Sequence, residues 1–172
     1  LAEKTAAGRI AFTKLPVLDS LEARFKVMAR YPDVVQVISM PHSLEPAGSK
    51  KVVYDLARVA NDELAETADK YPDKFAGAVA VMPLNDIDSA LKETERAIKK
   101  LGCKGIMVTA DATRPLDKPE FMALYQKMAE YDLPIWLHPM GGPNRPDYDG
   151  EKVSKYRIWG LWGWPYQTTL AM

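Results

Sequence analysis

Cysteine is nearly absent: Cys103 is the single one in 172 residues, which excludes an internal disulfide framework and suits a reducing compartment. Histidine is scarce as well, with His42 and His138 the only 2, so a metal site must draw on very few imidazoles. An excess of one charge is missing, since 23 Lys+Arg stand against 23 Asp+Glu, interspersed along the chain. That balance removes the electrostatic reason to expect nucleic acid or a membrane surface as a partner. No apolar run approaches the ~20 residues that span a bilayer. The longest, around Ala76 to Leu84, has the length of a strand. Neither G-x-G-x-x-G nor G-x-x-x-x-G-K-[ST] occurs, so dinucleotide and P-loop readings lose their main support.

What is present is ordinary globular composition, 47% hydrophobic and 27% charged, at about the length of one domain. The chain is read as a single unit over 1–172. It starts at Leu1 without a Met and stops at Met172 in the first turns of a helix, so it is expected to be an internal segment of a longer polypeptide.

Apolar spacing sets out the elements. Asp19 with Glu22 predicts a capping-box start, and Leu21, Phe25 and Met28 follow at helical intervals until Pro32. Val34 to Met40 is almost wholly apolar and β-branched, as a strand covered on both faces would be. A long helix carrying Val52, Leu56, Val59, Leu64 and Ala68 ends at Pro72, and a second strand covers Phe75 to Met82. The next helix starts near Asp86 or Asp88 and ends at Gly102 as the residue past its cap. Strand three is Gly105 to Thr109, a helix begins about Pro119, and strand four is Pro134 to His138. Pro139 to Pro165 reads as a long loop, with a helix from about Tyr166. Strands and amphipathic helices alternate with a period of about 30–40 residues, which argues for a parallel α/β fold. Four strands are half of a (β/α)8 barrel.

In such folds the chemistry collects at the carboxyl ends of the strands, and both histidines fall there. Alternation places Trp136 and His138 on one face and Ile135 and Leu137 on the other, under the helices. His138 would then stand at the mouth, either as a ligand to a divalent cation or as a histidine satisfied by backbone. His42, after Pro41, is either a solvated loop residue or a substrate contact. Trp159, Trp162 and Trp164 are loop packing or aromatic walls for a planar substrate. Cys103 reads as a packed thiol. Glu93 and its neighbours read as a solvated helix face.

The runs DSLEARFKVMARYPDVVQVIS, ANDELAETADKYPDKFAGAVAVMPLND, AIKKLGCKGIMVTAD and PLDKPEFMALYQKMAEYDLPIWLHP together resemble the amidohydrolase-related family. The similarity, over about residues 19 to 172, is to the branch holding decarboxylases of resorcylate-type and aminocarboxymuconate semialdehyde-type acids. It implies a distorted TIM-like barrel, of which this chain would be about strands two to five, and one divalent metal, zinc or manganese. His138 aligns with the family's histidine ligand of the central strand. The H-x-H or E-x-H pair, the later histidine and the last-strand aspartate are not in this chain, so the catalytic residues are expected outside this segment. The implied function is a cytoplasmic metal-dependent decarboxylase (a carboxy-lyase) or hydrolase of a small carboxylated cyclic or aromatic substrate. Candidate lining residues are His42, Trp136, Trp162 and Trp164, with homo-oligomerisation open. The rival reading is a non-catalytic α/β binding module in which His138 is structural.

Overall fold

The structure, a computed structural model, describes residues 15–111, 115–140, 148–152, 155–156 and 159–170. Helices α1 (Pro16–Asp19) and α2 (Leu21–Met28) lead to strand β1 (Gln36–Ile38). Helix α3 (Lys50–Lys70), strands β2 (Phe75–Ala78) and β3 (Ala80–Val81), and helix α4 (Ile87–Lys99) follow. Strand β4 (Ile106–Asp111), helix α5 (Met122–Glu130), strand β5 (Ile135–Met140) and helix α6 (Trp164–Leu170) complete the order.

All pairings are parallel, β1 with β2 and β3 with β4 with β5. The two sheets meet at Val79. Its N–H donates to the carbonyl of Ile38 at 2.9 Å, while the Ala80 N–H donates to Gly105 at 3.0 Å on the other side. Residues 75–81 therefore form one bent extended segment with β1 on one edge and β4 on the other. This is the parallel α/β arrangement that the alternation of elements predicts.

The helix-side face carries the core. Ala78, Ala80, Met82, Ile106 and Val108 are buried there, with Ile135 and Leu137 packed against them. Leu124 and Met128 of α5 and Ala97 of α4 close the layer. Phe25 meets Tyr71 edge-on at 4.9 Å and anchors α2 to the end of α3. At roughly 25 cal/mol per Å² of apolar area, this continuous layer is the main stabilising contribution.

Three local expectations change. Ser20, not Asp19, caps α2: its hydroxyl accepts the Ala23 N–H at 3.2 Å, because Asp19 already closes the short α1. The first strand is shorter than 34–40, and Val34 and Val35 are exposed, since among the described residues β1 has a partner on one edge only. The last helix starts at Trp164, two residues before Tyr166, after a wide π turn over Trp159–Gly163.

Two glycines are required by close approach. Gly105 has φ +152, and a Cβ there would collide with the carbonyl of Pro134 and come 3.1 Å from Nε1 of Trp136. At Gly77, φ is +154 and a Cβ would come 2.7 Å from the Lys104 side chain.

Candidate functional site

Register decides which side chains share the open face of the sheet. Val81, Met107 and Trp136 lie in one row, and Thr109 pairs with His138 in a row nearer the carboxyl ends. Residues two apart on a strand face the same way, so His138 and Trp136 stand opposite the helix-side core, as alternation predicts. Their rings part company, however. The Trp136 indole reaches back to Gly105, at the amino end of β4, whereas His138 sits at the carboxyl end.

His138 is half-buried, and its Nδ1 is buried without a hydrogen-bond partner. Burial holds its pKa below the ordinary histidine value, and a charge on His42 lowers it further. The fold thus brings both histidines to one end, although His138 follows His42 by 96 residues in the chain (138 minus 42). His42 itself is exposed. Its Nδ1 lies 2.8 Å from the Pro41 carbonyl, an acceptor, so Nδ1 carries the proton and the neutral ring keeps its lone pair on Nε2.

Helix α6 brings the aromatic component. The Trp164 ring lies 6.3 Å from that of His138, centroid to centroid, tilted by 52°. Pro139, Leu161, Trp164, Pro165, Thr168 and Thr169 line an open groove of about 530 Å³. Pro139 and Trp164 border His138, but the imidazole itself is not part of the groove wall. Trp162 is 73% exposed on the π turn. The side chains of Trp159 and Asp111 lie outside the described residues.

A divalent metal needs about three protein ligands. Among the described residues, no three His, Cys, Asp or Glu side chains converge. An orphaned ring nitrogen fits a histidine ligand oriented by a further partner, so His138 suits one position of such a set. The described residues do not supply the rest of the set.

Sequence reasoning missed a buried polar cluster. Asn61 is fully buried; its amide donates to the Val81 carbonyl at 3.0 Å and to Glu93 at 2.8 Å, and its oxygen accepts the Val81 N–H at 2.7 Å. It thereby completes the edge of β3 where β1 has ended. Glu93 is also fully buried, which corrects its reading as part of a solvated face. Arg96 clamps both its oxygens, at 2.9 and 2.8 Å, and these bonds together with Asp62 raise the guanidinium pKa. Asn61 lies in the buried stripe Val53, Ala57, Asn61, Ala65 of α3, whereas the apolar set read from the sequence included Val52 and Val59, which are exposed. Cys103 is buried as expected, and burial pushes its thiol up to about 11.

Residues 17–171 match the family model described as Amidohydrolase. The chain belongs to the amidohydrolase family. Among similar amidohydrolase-family proteins is the gamma-resorcylate decarboxylase of Rhizobium radiobacter, 31% identical over 131 residues, covering 72% of this chain and 40% of that protein. A solved 2,6-dihydroxybenzoate decarboxylase complexed with 2,6-dihydroxybenzoate shares the fold, with TM-score 0.66 at 24% identity, over 89% of this chain and 50% of that one. The 5-carboxyvanillate decarboxylase of Novosphingobium aromaticivorans, solved with bound manganese and 3-methoxy-4-hydroxy-5-nitrobenzoic acid, aligns with TM-score 0.56 at 29% identity. That alignment covers 63% of this chain and 31% of that one. The chain thus spans about two fifths of the curated relative's length and half or less of these solved chains. Among the described residues, no helix is long and apolar enough to cross a membrane.

Proposed function

We propose that this chain is part of a metal-dependent amidohydrolase-family decarboxylase acting on a small aromatic carboxylate. The observation that carries this is His138 at the carboxyl end of β5 with Trp164 tilted over it, in a chain 31% identical to a gamma-resorcylate decarboxylase. In this reading β1, the bent segment of β2 and β3, β4 and β5 are four strands of a larger (β/α)8 barrel, and 1–172 is an internal segment of it. Coverage of only 40% of one relative and 50% of another supports the chain being part of a larger fold. A cytoplasmic location is part of the reading and rests on the single cysteine.

His138 would hold one position of the metal, manganese or zinc. A divalent ion there would supply positive charge for the substrate carboxylate and an adjacent oxygen. Trp164 offers a rigid apolar wall beside a ring so held, and Trp162 extends that wall from the π turn. His42, when protonated, places a second positive charge within electrostatic reach of His138, where an anionic substrate would sit. Trp136 lines the floor nearer Gly105.

The test is CO2 release from a panel of hydroxybenzoates and muconate-like acids, with metal analysis of the purified full-length protein. Stoichiometric manganese or zinc, lost together with turnover in His138→Ala, is expected. Turnover of lactones with a blank acid panel would instead favour the hydrolase chemistry. A metal-free, well-folded protein inert to both would leave the binding-module reading, with His138 structural.

A further inference from the structure

Two buried polar atoms without a hydrogen-bond partner lie on neighbouring elements: Nδ1 of His138 on β5 and Oε1 of Gln167 on α6. Gln167 is 8% exposed on a surface helix, an unusual position for a long polar side chain. Helix α6 packs on β5. Trp164 lies three residues before Gln167, so the two share a helix face, and Trp164 meets the His138 ring. Thr168, next in sequence, lines the same groove as Pro139, the neighbour of His138. Both unpaired atoms therefore belong to the two elements, β5 and α6, that pack together beside the Trp164–His138 contact.

Each unpaired buried group forfeits its hydration without a replacement, and one of these is an acceptor while the other can carry a proton. A single side-chain adjustment that pairs them removes both costs. We propose that Gln167 is the positioning residue of His138: its Oε1 accepts the Nδ1–H, which leaves the lone pair on Nε2 as the one available to a metal. The inference rests on the metal reading of His138, but its structural half stands without a metal. Metal-ligating histidines commonly donate their other N–H in this way, and removing the acceptor weakens metal binding by about 10–100-fold.

The experiment reads the tautomer of the His138 ring by 15N NMR in the metal-free full-length protein, above the pH at which the ring protonates. The native ring is expected to carry its proton on Nδ1. In Gln167→Met, similar in size but with no amide acceptor, the Nδ1–H to Nε2–H ratio is expected to fall by about tenfold. Gln167→Glu is expected to restore the Nδ1–H and move its proton downfield, as donation to a carboxylate does. An unchanged ratio in Gln167→Met overturns the proposal. If that variant fails to fold, Gln167→Glu decides alone, and an Nε2–H ring there overturns it.

A parallel titration of the full-length protein with Mn2+ alone separates this inference from the reading it rests on. Weaker binding in Gln167→Met, recovered in Gln167→Glu, supports the pair. Equal Mn2+ binding by native protein and His138→Ala removes the metal reading, while the tautomer result still decides the role of Gln167.

Discussion

The Trp164 indole and the His138 imidazole lie 6.3 Å apart at 52°, and this contact joins the last helix of the chain to its last strand. A protonated imidazole beside an indole quenches its fluorescence, so the pair reports its own ionisation. Burial, then the charge of His42, lowers the His138 pKa. The quenching midpoint in the metal-free chain is therefore expected below the ordinary histidine value of about 6.5. His42→Ala is expected to move it up, and Trp164→Phe to abolish the pH-dependent component.

The same shift carries a stability consequence. The folded ring resists protonation more than the unfolded one, so the unfolded chain binds more protons as pH falls through about 6.5. His138's contribution is complete above that pH and is lost as pH falls toward the folded value. Urea midpoints between pH 5 and 7.5 are expected to fall more steeply on acidification in the native chain than in His138→Gln.

Arg96 and Asp62 offer a contrast within one cluster. Arg96 is the partner of the fully buried Glu93, whereas the Asp62 side chain is 52% exposed. Arg96→Ala leaves a buried carboxylate without its cation and is expected to cost about 3–5 kcal/mol. Asp62→Ala is expected to cost under about 1 kcal/mol. Chemical denaturation of the two variants checks the ratio.

Asn61→Leu keeps the branched four-atom skeleton but removes the amide from Val81 and Glu93. Three hydrogen bonds are lost and two backbone groups are left buried, so a loss of about 2–4 kcal/mol is expected. Hydrogen exchange is expected to accelerate at Val81 relative to Ala80, whose N–H is held by Gly105.

Gly105→Ala forces a methyl onto the Pro134 carbonyl and against the Trp136 ring, and is expected to cost at least about 2 kcal/mol. Gly102 has φ +66 with nothing within 4 Å, so Gly102→Ala meets only the left-handed backbone penalty, about 1–2 kcal/mol. Thermal melts of the two variants separate collision from conformation.

The alternation of apolar strands with amphipathic helices was legible in the chain because burial imposes periods of 2 and 3.6 on local sequence. That made the parallel α/β class, the strand positions and the shared face of Trp136 and His138 readable. Glu93 was misread as solvated because its partners, Asn61 and Arg96, come from two helices, and helical spacing within one of them cannot show the other. The buried position of Gln167 was hidden in a segment read as the start of an unplaced helix.

By itself the sequence determined which residues alternate and that both histidines lie toward the carboxyl ends of strands. Only the tertiary structure decided what those residues meet: His42 within electrostatic reach of His138, Trp164 over the imidazole, and the Trp136 ring turned back to Gly105. The physical reason is range. Propensity and periodicity act over a few neighbouring residues, whereas these contacts join β1 to β5 and β5 to α6, and their geometry exists only once the sheet has paired.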